Sequence, residues 1–260
     1  MNDKIRGWNI KSYVYDVFCG EFAAGNPCGV VVLERWLSDA ELLDLTREIA
    51  QPVTSFVLVE DKTYHIRWFS LLGEINLCGH GSLGAGAEII KRYQRKQVDF
   101  QSRYGQLRVS ENQGFFSMTL PSWRAKPYAS NMLGNEFLLP KHRDVFTTRD
   151  MVLVLDSEAA VASFKPDFEQ LKLIEDQHAF MVTAQSSDNE YVLRYFAPKI
   201  GIPEDLATGS AHCSLAPYWF DQLKCRELYA RQLSSSGGQF KIEKASNQAI
   251  VLSAQAKPRI

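Results

Sequence analysis

The sequence predicts an α+β protein built as two similar halves, and three observations point to it. Most of the chain reads as short apolar stretches broken by Gly, Pro, Asn and Asp, which is the pattern of strands, while helical stretches are few. Two of those helical stretches lack charge in their first turns and are rich in small residues. A helix with no polar face there must be surrounded by protein, and short strands are the elements available to wrap it. Finally, one supersecondary unit occurs twice. Ile66-Arg67-Trp68-Phe69 leads through a polar loop to Cys78-Gly79-His80-Gly81-Ser82 and a helical run, Leu83 to Tyr93. Leu193-Arg194-Tyr195-Phe196 leads through a longer loop to Thr208-Gly209-Ser210-Ala211 and a second helical run, Cys213 to Leu223.

The elements follow in order. Strands are predicted at Ser12 to Phe18, Gly29 to Glu34, Ser55 to Val59, Tyr64 to Phe69, Gln106 to Ser110 and Phe115 to Leu120 in the first half. Met151 to Leu155, Ala179 to Ala184, Tyr191 to Phe196, Gln239 to Glu243 and Ala249 to Ser253 supply those of the second. An early helix spans Ser38 to Ile49: Ser38 can cap its first turn, Leu42, Leu43, Leu45 and Ile49 form an apolar stripe, and Pro52 stops it. The repeat divides the chain into an N-terminal domain, residues 1–120, and a C-terminal one, residues 121–260.

Composition narrows the partners. Hydrophobic residues at 45% and charged residues at 23% are ordinary for a globular chain with a core. Lys plus Arg at 29 against Asp plus Glu at 30 leaves no basic excess, so neither a nucleic-acid nor a membrane-surface partner is expected, and a small molecule is. The N-terminus has no apolar signal region and no apolar run approaches the roughly 18 residues of a membrane span, which predicts a cytoplasmic protein. Five scattered cysteines and five histidines form no CxxC, HxxxH or HExxH pattern, so neither a disulfide framework nor a metal site is expected. Exposed edges of sheet-rich halves make a homodimer reasonable.

Gly79-His80-Gly81-Ser82-Leu83-Gly84 matches GxGxxG, with Asp99 near the place of a ribose-binding acid. The preceding Gly73 to Leu77 is too short and polar for a buried parallel strand, so the glycines are better explained by close backbone approach and by amides directed at a ligand. Unpaired amides and the positive dipole end at two such helix starts suit a carboxylate. His80 is a candidate proton carrier, with an ordinary pKa near 6.5. Glu204 and Asp205, just before Gly209, are candidate bases or orienting acids, or plain helix-start charges.

Asp16-Val17-Phe18, Phe22, Gly25-Asn26-Pro27-Cys28-Gly29-Val30-Val31, Arg67-Trp68-Phe69 with Glu74, Leu77-Cys78-Gly79-His80, Arg194-Tyr195-Phe196-Ala197-Pro198 and Gly201 through His212 resemble, in order, the signatures of the PhzF-like (phenazine-biosynthesis) isomerases. Arg231-Gln232-Leu233-Ser234 and Gly237-Gly238 extend the resemblance toward the C-terminus. It implies the diaminopimelate epimerase fold: two similar domains, each a curled antiparallel sheet around a central helix, with the active site between them. It also implies cofactor-independent proton transfer on a small carboxylate-bearing metabolite. Carried over residue by residue, His80 and Asp205 are the acid/base pair. Gly79, Gly209 and Ser210, flanked by Cys78, Gly81 and Thr208, hold the substrate's acid group, and Asn26 lies in a loop that closes on it.

The chain departs from that pattern at one place. The resemblance implies a catalytic Glu in a Ser-Glu-Thr-x-Phe segment, and the matching segment is Pro52-Val53-Thr54-Ser55-Phe56. Valine neither accepts nor donates a proton, so a metabolite-binding or regulatory protein that has lost catalysis is the alternative. In related racemases two cysteines occupy the two helix starts. Here those positions are Cys78 and Thr208, which argues against racemisation and leaves Cys78 as a possible single base or an inert thiol.

Overall fold

A computed structural model describes residues 10–128, 141–174 and 176–259. The chain forms two compact units, one reaching to Thr119 and taking in the chain from Ser253 onward, the other running Leu120–Leu252. The last segment, assigned from sequence to the second half, joins the first unit because its strand pairs with the first strand of the chain, Ala256 opposite Val17.

The first unit contains β1 (Ser12–Cys19), β2 (Asn26–Leu33), α1 (Asp39–Ile49), β3 (Val53–Glu60), β4 (Thr63–Ser70), β5 (Gly73–Ile75), α2 (Gly79–Arg92), β6 (Gln97–Ser102), β7 (Gly105–Asn112) and most of β8 (Phe115–Pro121). Helix α1 begins as its sequence dictates: the Ser38 hydroxyl accepts from the Glu41 amide and the Glu41 carboxylate accepts from the Ser38 amide, a reciprocal capping box. Leu42 and Leu45 of this helix are buried against Val31, Leu33, Phe56 and Phe69. Helix α2 is buried over most of its length and packs on β1, β2, β3, β6 and β7. Its one buried acid, Glu88, is satisfied by the Tyr15 hydroxyl at 2.9 Å and by the Arg92 guanidinium at 2.6 Å.

The second unit contains β9 (Lys126–Pro127), β10 (Asp144–Thr147), β11 (Met151–Val154), α3 (Glu158–Ser163), α4 (Phe168–Lys172), β12 (Phe180–Ser187), β13 (Glu190–Phe196), α5 (His212–Leu223), β14 (Glu227–Gln232), β15 (Gly238–Lys244) and the start of β16 (Ala249–Pro258). Helix α5 packs on β14 and β15, and α3 and α4 cover a core of Leu153, Phe180, Val182, Val192 and Phe196.

The sheets are mixed, not wholly antiparallel, and the mixture repeats. In the first unit β1–β2 is antiparallel, β2–β3 parallel, β3–β4 antiparallel, β4–β6 parallel and β6–β7 antiparallel. In the second, β10–β11, β11–β12, β12–β13, β13–β14 and β14–β15 follow the same alternation. Each parallel pair is bridged by helix, α1 and α2 in one unit and α3 with α4, then α5, in the other, because a parallel neighbour requires a crossover that a hairpin cannot supply. The duplication therefore extends to strand direction. Among the described residues no helix is long and apolar enough to cross a membrane.

Candidate active site

Each unit carries a helix start built on one plan. An arginine two residues before a phenylalanine at the end of a strand is held by a glutamate further on. The Arg67 guanidinium donates to Glu74 at 2.9 and 2.7 Å and lies over the Phe69 ring at 5.1 Å. The Arg194 guanidinium donates to Glu204 at 2.7 and 2.9 Å and lies over Phe196 at 5.0 Å. These bidentate pairs fix the loop that enters each helix start. Of the two acids of the second motif, Glu204 is the ion-pair partner of Arg194 and Asp205 is not part of that pair.

In the first unit, Cys78 is the N-cap of α2 in extended conformation, and among the described residues no side-chain cap hydrogen bond is made there. The amides at such a helix start have no intrahelical acceptor. The helix begins at Gly79, not at Leu83, so the glycine-rich stretch read as a turn is the first turn of the helix. Close packing demands that composition: a side chain on Gly81 would begin 2.7 Å from Ser55 Oγ and 3.0 Å from the Trp68 ring. The Ser55 hydroxyl donates to the Gly81 carbonyl at 2.9 Å, and the Ser82 hydroxyl to the Cys78 carbonyl at 2.6 Å, which anchors the turn.

His80 Nδ1 lies 3.4 Å from Cys78 Sγ. Its Nε2 is buried with no hydrogen-bond partner among the described residues. Burial of the ring pushes its pKa down to about 4, so the imidazole is neutral near pH 7. Asn26 differs from expectation: it is the buried first residue of β2, paired with Val17, and not part of a loop.

In the second unit, Thr208 is the extended N-cap of a short 3₁₀ turn, Gly209–Ala211, that runs straight into α5; here too, among the described residues, no side-chain cap hydrogen bond is made. Helix α5 itself opens at His212, one residue before the sequence-based start. The Thr208 hydroxyl donates to Asp205 Oδ2 at 2.6 Å. Gln232, almost wholly buried on β14, clamps the segment: its Oε1 accepts from the Thr208 amide at 2.8 Å and its Nε2 donates to the Asp205 carbonyl at 2.7 Å. The Ser234 hydroxyl donates to the Leu206 carbonyl. Gln232 was visible in sequence only within the Arg231–Ser234 stretch, with no signal of its role. His212 is fully buried, its Nδ1 2.6 Å from the Tyr191 hydroxyl and its ring packed on Phe240, which makes it a core residue.

The first unit thus joins Cys78, Gly79, His80 and Gly81 in one turn, and the second joins Asp205, Thr208, Gly209 and Ser210. Each sets a helix start whose N-cap side chain caps no amide beside one ionisable side chain, His80 near Cys78 and Asp205 near Thr208.

The chain is similar to known proteins. The family model described as "Phenazine biosynthesis-like protein" matches residues 15–256. An uncharacterised isomerase of Vibrio cholerae is 56% identical over 252 residues, covering 97% of this chain and 90% of that protein. One from Pseudomonas aeruginosa is 35% identical, covering 86% and 87%. A phenazine biosynthesis protein of the PhzF family from Enterococcus faecalis superposes with a TM-score of 0.85 at 32% identity, over 96% of this chain and 97% of that one. At 9% identity and a TM-score of 0.57, a hydroxyproline epimerase from Agrobacterium vitis shares the fold alone. The class is an isomerase on the two-domain α+β epimerase fold. The chain belongs to the phenazine biosynthesis-like family.

Proposed function

We propose that this isomerase moves a proton, without a cofactor, at a carbon next to an acid group of a small carboxylate-bearing metabolite. Isomerisation by proton transfer is redox-neutral, so paired acid/base groups suffice for it. Each helix start, through the amides of Gly79 and Gly81 in the first unit and of Gly209 and Ser210 in the second, favours an anion such as that acid group. His80 and Asp205 carry the proton. Neutral His80 has a lone pair available, and the proximity of Cys78 Sγ to Nδ1 steers the ring. Thr208 orients the Asp205 carboxylate. Asn26 contributes as a buried polar residue of the same unit as His80. The observation that carries this reading is the duplicated uncapped helix start with its own acid/base residue.

One observation favours a second reading. Val53 shares a face of β3 with Ser55, whose hydroxyl touches the first turn of α2, so an apolar side chain stands on the strand face aimed at the proposed site. A protein that binds the metabolite without turning it over would tolerate that. Incubating the protein in deuterated water with a panel of unsaturated and amino carboxylic acids separates the two. Deuterium at carbon supports the isomerase; binding without label supports the carrier.

A further inference from the structure

Arg149 lies on the short connection between β10 and β11, in the same unit as Asp205 and Ser210, and nothing in the repeat plan requires it there. The connection is rigid. The Thr148 hydroxyl lies 2.6 Å from the Ser214 hydroxyl on α5, the Thr148 amide donates to the Asp150 carbonyl at 2.9 Å, and the Met151 amide donates to the Ala179 carbonyl at 2.9 Å. One edge of the guanidinium is fixed on the fully buried Asp150, through Nε at 3.0 Å and Nη2 at 2.9 Å. Nη2 also reaches the Tyr195 hydroxyl at 3.1 Å and Ser210 Oγ at 3.4 Å. The plane is set by the Trp123 ring, 4.8 Å from Cζ.

The Nη1 amino group is open. Nη1 has no hydrogen-bond partner among the described residues, and the side chain is 38% exposed. A guanidinium held on one edge by a buried carboxylate, stacked on an indole, with Nη2 reaching Ser210 and both N–H groups of Nη1 left to donate, is a preorganised cationic donor for a carboxylate. A purely structural ion pair with Asp150 needs neither the stacking nor the contact with Ser210.

We propose that Arg149 binds a second acid group of the substrate, which makes the substrate a dicarboxylic acid. This rests on the reading above, in which the helix-start amides take the first carboxylate. The charge of Arg149 is balanced by Asp150, so selectivity comes from the geometry of the open N–H groups more than from net charge.

The test is calorimetric titration of the full chain with matched acids: butyrate against succinate, pentanoate against glutarate, hexanoate against adipate. At least one diacid is expected to bind the wild type tenfold or more tightly than its monoacid partner. Arg149→Lys, which preserves a counter-charge for Asp150, should reduce that ratio severalfold; Arg149→Gln made together with Asp150→Asn, which strands no buried charge, should bring it near one. Equal binding of diacids and monoacids by the wild type, or a ratio that survives in the double variant, overturns the role of Arg149 while the helix-start reading stands. Binding of neither kind of acid overturns both.

Discussion

Cys78 and Thr208 hold nearly the same backbone conformation, φ −118° and ψ 112° against φ −122° and ψ 96°, and each is the N-cap of a helix start without a side-chain cap hydrogen bond among the described residues. The equivalence survives although one residue is a thiol and the other an alcohol. What differs is the use of the side chain. Cys78 faces an imidazole two residues ahead, and Thr208 donates to a carboxylate three residues behind.

Removing that donation isolates the role of Thr208. Thr208→Val keeps the shape but leaves Asp205 without its hydroxyl donor, and deuterium incorporation on whichever acid the wild type labels is expected to fall by about 10²-fold, the scale of one acid/base contribution. Thr208→Ser should retain most of the rate. Circular dichroism melting checks that both variants fold, and wild-type exchange in Thr208→Val would show that Asp205 needs no orienting.

The imidazoles of partly exposed His80 and fully buried His212 give a pH signature. In the folded chain burial lowers His80 to about 4 and His212 to about 3, whereas in the unfolded chain both titrate near 6.5. Below pH 6.5 the unfolded state takes up protons that the native state refuses, so stability rises with pH from about 4 to 6.5 and gains nothing from these groups above it. The urea midpoint should therefore drop between pH 7 and pH 5, above the range of ordinary carboxylates. His80→Gln should flatten part of that slope; a wild-type midpoint constant from pH 7 to 5 contradicts the buried neutral histidines.

Gln232 is the third point of attack. Gln232→Leu removes the acceptor of the Thr208 amide and the donor to the Asp205 carbonyl, leaving polar groups of a half-buried segment unsatisfied. A destabilisation of about 2–4 kcal/mol in urea unfolding is expected from two such losses. Exchange activity should fall along with it, because the segment carries Asp205.

How much of this was legible in the sequence depended on whether the determinant was local. The capping box of α1, the buried character of α2 and α5, and the equivalence of Cys78 with Thr208 all lie within one or two turns of chain. Strands β6 and β14 escaped notice because their inward positions are few or weakly apolar: Val98 and Phe100 in one, Leu228, Ala230 and Gln232 in the other. The parallel pairings were hidden as well, since strand direction follows from crossovers and leaves no mark on alternation. Gln232 and Arg149 gained their roles only from pairings 24 and 61 residues distant, which no periodicity encodes.

Gly81 links fold and site in a single atom. A methyl group there would meet Ser55 Oγ at 2.7 Å, the Trp68 ring at 3.0 Å and Cys78 Sγ at 3.3 Å. Trp68 and Ser55 are fully buried, so the strain cannot be shed to solvent. Gly81→Ala is expected to cost about 1–3 kcal/mol, the range of overpacked cores, against the usual gain from replacing a helical glycine. Urea denaturation measures it, and a variant as stable as the wild type would show that the first turn of α2 is free to shift.

Val53→Glu asks whether the missing carboxylate limits the chemistry. Val53 is 7% exposed, opposite Ser70 in the β3–β4 pairing, and on the strand face whose next member, Ser55, holds the first turn of α2. A carboxyl group placed there loses hydration, which raises its pKa, and approaches the helix start, whose dipole lowers it. The opposed effects bring it toward the range of a working base, while burial should destabilise the fold by about 1–3 kcal/mol. Deuterium incorporation in the variant, measured on the same acids as the wild type, is expected to rise at least tenfold. If the wild type labels no acid and the variant does, the natural protein is a binding module that a single carboxylate restores to catalysis. If both label at one rate, His80 and Asp205 already move the proton and Val53 is only part of the wall.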